Sequence, residues 1–256
     1  FDVTLSPMGT GALTSQIADN TTTGGNKRGT RAVDWQMERG SASQVANGAN
    51  ATIGGGKFNT ASGIESTVAG GNSGNASGTQ SFIGGGVGNT ASNFQAVVSG
   101  GFGNTASGDK ATVGGGQSNT ASGDGSVIGG GQSNTASGGG SFIGSGFQNT
   151  ASAFRTFIGS GWQHTANQNY AVAVGGEANT ARAVQATVVG GWQNTASGLR
   201  SFLGGGFQNT VSGDESAIPG GRGLTLGANA DRSFGFKANV GRRNITSDAG
   251  YTGDVN

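Results

Sequence analysis

The sequence predicts an all-β fold, a parallel β-solenoid of about twelve coils of fifteen residues each, and three observations predict it. The string Asn-Thr-Ala-Ser-Gly or a variant recurs with its alanine at Ala46, Ala61, Ala76, Ala91, Ala106, Ala121, Ala136, Ala151, Ala166, Ala181 and Ala196, then Val211, always fifteen residues apart. Glycine supplies 55 of 256 residues and proline only 2, so order must come from regularity rather than from a broad core of large side chains. One column, running from Gly56, Gly71 and Gly86 to Gly206 and Gly221, is glycine in every repeat.

A repeat this rich in glycine is not helical, because each interior glycine costs a helix about 1 kcal/mol relative to alanine. The runs typified by Ser-Phe-Ile-Gly and Asn-Thr-Ala-Ser are expected to be the two strands of a coil. The Gly-Gly-Gly and Ser-Gly segments are its corners, where glycine reaches φ > 0 without steric penalty. Stacked coils then lie about 4.8 Å apart. Side-chain alternation points one aliphatic column inward: Ile53, Val68, Ile83, Val98, Val113, Ile128, Ile143, Ile158, Val188, Leu203 and Ile218. The small residue two positions earlier (Ala51, Ser66, Ser81, Ala96) and the alanine of the opposite strand join it. Between Tyr170 and Val174 the pattern reads as one residue gained in a half-repeat and lost in the next, with Ala173 beside Val174 in the aliphatic slot.

The column just before the aliphatic one points the other way, yet it holds Phe82, Val97, Val127, Phe142, Phe157, Val172 and Phe202 among threonines and Ala217. An apolar stripe on the outside of a narrow solenoid is larger than monomers tolerate. The expected cover is the same stripe on further copies, in register around an axis parallel to the coils, so these seven residues are the expected interface of a homotrimer.

The ends read differently. Residues 1–45 form a charged, aperiodic lead-in, with Lys27, Arg28, Arg31, Asp34, Glu38 and Arg39 around Trp35, suited to capping or joining. Residues 46–218, by contrast, carry only five basic and six acidic residues. Solenoids need such a cap over the open end of the stack. Residues 219–256 read as an irregular last coil and a connecting segment; Pro219 replaces a corner glycine, and the coil aligns either at Leu226 by number or at Ala228 by motif. A start at Phe1 without a signal region reads as a processed or truncated piece.

Composition narrows the function. Net charge is +1 with no basic block, so no nucleic-acid partner is expected. No apolar run approaches the roughly 18 residues of a membrane helix, and the absence of cysteine excludes disulfides and thiolate metal sites. His164 stands in a column of asparagines (Asn59, Asn89, Asn104, Asn119, Asn134, Asn149, Asn179, Asn194, Asn209) and reads as structural. Asp109, Asp124 and Asp214 share a column, but too few coils carry an aspartate for a calcium-binding roll. No catalytic residue, metal or cofactor is therefore expected. The candidate binding residues are Phe147, Gln148, Trp162, Gln163, Trp192, Gln193, Phe207 and Gln208: aromatic faces flanked by amides, able to stack on sugar rings and hydrogen-bond their hydroxyls. The competing expectation is that these rings close the corner against a neighbouring subunit.

The segment Ala171–Ala183, Ala-Val-Ala-Val-Gly-Gly-Glu-Ala-Asn-Thr-Ala-Arg-Ala, and the Ser-x-Ile-Gly…Asn-x-Ala-x-Gly spacing resemble the head repeats of YadA-type trimeric autotransporter adhesins. Closely similar repeats occur in phage tail and virion fibres. The resemblance covers residues 46–218 and departs in period, fifteen rather than fourteen. It implies a left-handed parallel β-roll, three chains per fibre, and a role in host attachment on a virion. Other fibre or baseplate proteins would join at the ends, and a cell-surface glycan or protein would serve as receptor. A bacterial surface adhesin head is the alternative. A third expectation comes from the residues alone: Thr and Ser flanking the inward alanine, such as Thr120 with Ser122 and Thr135 with Ser137, form parallel hydroxyl ladders of the kind an ice-binding face requires.

Overall fold

The computed structural model describes residues 19–36 and 38–236. The first part of the lead-in and the tail of the C-terminal connecting segment lie outside the described residues. Those described divide into two compact units, one ending at Ala106 and the other starting at Ser107. Each is a parallel β-solenoid, and no helix occurs among the described residues.

In the first unit one sheet contains Val33–Asp34, Thr52–Ile53, Thr67–Val68, Phe82–Ile83 and Val97–Val98. The opposite sheet contains Thr60–Ala61, Asn75–Ala76, Thr90–Ala91 and Thr105–Ala106. In the second unit eight strands, Thr112–Val113 to Ala217–Ile218, face eight others, Thr120–Ala121 to Thr225–Leu226. The strands lie where the two sequence runs placed them, two residues each, and successive coils pair in parallel fifteen residues apart, as in Val127↔Phe142 and Thr135↔Thr150.

The interior is as thin as alternation requires. The aliphatic column, the alanine of the opposite strand and the small residue before the aliphatic are all buried. One expectation is corrected: no residue is gained or lost near Tyr170. Phe157 pairs with Val172 and Ile158 with Ala173, and the next step pairs Ala173 with Val188. Ala173 itself occupies the aliphatic slot, fully buried, and Val174 takes the following corner position, where it is exposed. Backbone pairing keeps its spacing because a single-residue slip would turn every inward side chain outward.

A column of asparagine side chains completes the core. Asn134 illustrates it: its N–H donates to Asn119 Oδ1 (2.9 Å), and its Nδ2 donates to the carbonyls of Gly130 (3.0 Å) and Gly146 (2.9 Å). Its Oδ1 in turn accepts from Asn149 N–H at 3.0 Å. The Gly146 carbonyl also accepts from Gln132 N–H in the corner ladder, so the asparagine adds a second bond from within, and the buried polar groups of the corner are paired, as they must be. His164 keeps part of the pattern. Its N–H donates to Asn149 Oδ1 and its Nδ1 accepts from Asn179 N–H, while Nε2 is buried without a well-formed hydrogen bond. Burial pushes the imidazole below its ordinary pKa, and the nearby backbone groups of Asn179, Gly176 and Ser160 oppose that shift in part.

The lead-in contributes to the first sheet. Val33 pairs with Thr52, nineteen residues on, whereas Ala46 pairs with Ala61, fifteen on. The first turn is therefore a coil with four extra residues between Glu38 and Ala46. Gln36 takes the asparagine's part there, receiving Asn59 N–H on Oε1 and donating from Nε2 to the carbonyls of Gln44 and Asn59. The buried carboxylate of Asp34 accepts from Arg28 Nε (3.1 Å) and Arg39 Nη2 (3.0 Å), so three of the charges crowding the lead-in pair with one another inside this turn. At the other end Val211 pairs with Leu226, and Ala217 bridges Phe234 seventeen residues on. Alignment by number holds through Leu226, and two residues are inserted after it.

Candidate functional site

Each corner carries a short ladder of its own. After the invariant glycine, at φ +110 for Gly146 and +117 for Gly161, comes one extended residue and then a second left-handed one. Gln148, Gln163, Gln193 and Gln208 occupy that second position at φ 53 to 57. The extended residue between the two bends forms a parallel bridge to its counterpart in the next coil. The bridges run Phe147, Trp162, Glu177, Trp192, Phe207, Arg222.

The eight sequence-derived binding residues fall on this edge in two groups. In the first, Phe147 meets Trp162 edge to face at 5.4 Å between ring centroids, and Gln163 Nε2 donates to Gln148 Oε1 at 2.9 Å. In the second, Trp192 meets Phe207 edge to face at 4.7 Å, and Gln208 Nε2 donates to Gln193 Oε1 at 2.8 Å. Arg222 lies over the Phe207 ring at 4.9 Å. Trp162 and Trp192 are exposed, whereas Phe147 and Phe207 are half-buried beneath their partners. Sequence reasoning missed Glu177 and Arg222, which share the column; their position fifteen residues from a tryptophan and a phenylalanine was the available signal.

The outward stripe is exposed too. In the first unit Phe82 and Val97 are register partners. In the second, Val127, Phe142, Phe157 and Val172 follow one another, with Phe202 two coils further along. Phe142 and Phe157 stack at 5.3 Å with planes 6° apart. The four phenylalanines are 37 to 42% exposed, and the three valines are half-buried.

The opposite sheet of the second unit bears eight threonines in unbroken register, from Thr120 to Thr225. Ser122, Ser137 and Ser152 flank them, and Asn167 and Arg182 interrupt the serine row. The aspartates do not converge: Asp124 Oδ1 accepts from Asp109 N–H and Asp214 Oδ1 from Leu199 N–H, each capping a turn of the preceding coil. No group of three metal-ligating side chains, and no helix long and apolar enough to cross a membrane, occurs among the described residues.

Fold and surface together define the class, a parallel β-solenoid repeat protein whose surface consists of side-chain ladders. No protein-family model matches the chain, and no curated protein matches it. The likeness of its repeat to adhesin heads and virion fibres stands on the residues alone.

Proposed function

We propose that the chain is a segment of a left-handed, homotrimeric β-solenoid fibre on a virion, a phage tail or head fibre, and that its corner ladder contributes to binding a host-surface receptor. The exposed apolar stripe carries this reading. Fully burying a phenylalanine contributes about 1.5–3 kcal/mol. The four phenylalanines of the stripe are still 37 to 42% exposed, so covering each adds roughly 0.6–1.2 kcal/mol, and in the second unit Val127, Phe142, Phe157 and Val172 offer that surface on four successive coils. A second copy in parallel register offers an identical line, and rotation about an axis parallel to the stripe closes the assembly. The amide-flanked aromatic edge is a different column and is left for a receptor.

The test is adsorption to host cells, together with a glycan array, for the wild type and a Trp162→Ala/Trp192→Ala variant. Lost binding with an unchanged melting temperature is the expected outcome. Unchanged binding with lowered stability would show instead that the rings only close the corner.

The eight-threonine ladder favours a second reading, an ice-binding face, because its hydroxyls recur in unbroken register, one per coil, on one sheet. Thermal hysteresis at millimolar protein supports that reading, and none removes it.

A further inference from the structure

Along the corner ladder each aromatic ring has a partner on one side: Phe147 for Trp162, Phe207 for Trp192, and Arg222 for Phe207. The coil between the two tryptophans breaks the pattern. It presents Glu177, whose exposed carboxylate makes no hydrogen bond or ion pair among the described residues, and no ring contact joins Trp162 to Trp192 across it. The glutamine column is interrupted at the same coil by Ala178. The flanking amides have no side-chain partner across that gap, because Gln163 is bonded to Gln148 and Gln193 to Gln208.

Two exposed indoles thus stand two coils apart, about 10 Å along the stack, with a carboxylate between them and only a methyl group where an amide would fill the space. Glu177 is a poor partner for either ring, since the face of an aromatic ring carries partial negative charge. A cation is the complementary partner, and the ladder already shows the arrangement where Arg222 lies over Phe207. We propose that Trp162, Glu177 and Trp192, with Ala178 as the gap between Gln163 and Gln193, form a binding site for an organic ammonium group. Such a group can be a quaternary choline-type head or the protonated amine of an amino sugar. The indoles supply ring faces, the carboxylate neutralises the charge, and the Gln163 amide oxygen can accept from a primary ammonium. This proposal rests on the reading of the corner ladder as a receptor-binding edge and names the chemistry of its ligand.

The experiment follows the three indole N–H resonances by NMR, assigned with single Trp→Phe variants, on the full chain. Four compounds are titrated: choline, its uncharged isostere with a quaternary carbon in place of the nitrogen, glucosamine, and glucose. Choline or glucosamine should shift the Trp162 and Trp192 signals and leave Trp35 unmoved, and which of the two binds more tightly identifies the source. The uncharged compounds should have no such effect. Glu177→Gln, at an exposed position, should weaken binding at least about threefold, and added salt should weaken it in the wild type. Equal shifts from the uncharged compounds, or full binding by Glu177→Gln, would overturn the ammonium site while leaving an edge that binds neutral sugars. Silence from all four compounds also overturns it. The receptor reading falls separately, if the Trp162→Ala/Trp192→Ala variant still adsorbs to host cells.

Discussion

Gly130 and Gly131 are adjacent in the same corner, and alanine at each should have opposite effects. Gly131 has φ +91, and a Cβ there would collide with the carbonyl oxygen of Gly146 and come within 2.6 Å of Gly146 N and 2.7 Å of Asn134 Nδ2. That carbonyl accepts from Gln132 N–H and from Asn134 Nδ2, so the collision strikes both the corner ladder and the buried asparagine column. A left-handed backbone costs a non-glycine residue about 1–2 kcal/mol, and forcing extra volume into packed structure adds about 1–3 kcal/mol. Gly131→Ala should therefore destabilise by about 2–5 kcal/mol per chain. A Cβ on Gly130 meets nothing within 4 Å, and its φ lies outside the left-handed region. Gly130→Ala should be neutral or stabilise by up to about 1 kcal/mol, by restricting the unfolded chain. Urea unfolding followed by circular dichroism, with calorimetry alongside, compares the two. Equal effects, or a larger loss at Gly130, would refute the assignment of the glycine column to a crowded left-handed corner.

Three other substitutions probe the core. His164→Asn should restore Nδ2 donation to the Ser160 and Gly176 carbonyls, as Asn149 donates to those of Ser145 and Gly161, and stabilise by about 1 kcal/mol. It should also remove a pH dependence. The folded pKa of His164 lies below its unfolded value, so the unfolded chain takes up the proton first. Wild-type stability should then fall as pH drops below about 6.5 towards the folded pKa, relative to the variant; parallel stability–pH curves would contradict this. Ser141 carries a buried hydroxyl without a hydrogen-bond partner in a column where Ala96, Ala111, Ala171 and Ala186 also serve. Ser141→Ala should leave stability unchanged or raise it by about 1 kcal/mol in urea unfolding. Arg39→Met leaves Asp34 paired with Arg28 alone and should cost about 1.5–3 kcal/mol, with hydrogen exchange accelerated in the first turns rather than near the C-terminal coils.

The sequence disclosed what repeats without exception. Glycine in the column from Gly56 to Gly221 was readable as a corner that admits no side chain: all twelve have positive φ, and a Cβ there, as at Gly131, would strike the carbonyl of the next coil. Alternation located the aliphatic core for the same reason, since an inward position tolerates little else. Glutamine at the second bend was not readable, because a polar residue in a short column is compatible with either sign of φ. Ala173 misled because its small side chain beside Val174 imitates an insertion, and only backbone pairing distinguishes the two. The first turn was hidden by its four extra residues, which place Val33 nineteen rather than fifteen positions before Thr52. The asparagine column was visible as a column, but its inward direction and carbonyl partners depend on the corner geometry. At the candidate site the aromatic and amide residues could be named from spacing, whereas their division into two groups around Glu177 emerged only once the coils were stacked.

The central claim is that the apolar stripe is covered by two further copies of the chain. Sedimentation equilibrium at nanomolar concentration tests it most directly, with circular dichroism on the same sample to establish folding. A folded species of three times the 24.9 kDa chain mass is the expected result, with dissociation and loss of β-structure together in a Phe142→Ser/Phe157→Ser variant. A folded, stable monomer of 24.9 kDa would contradict the trimer and the fibre built on it.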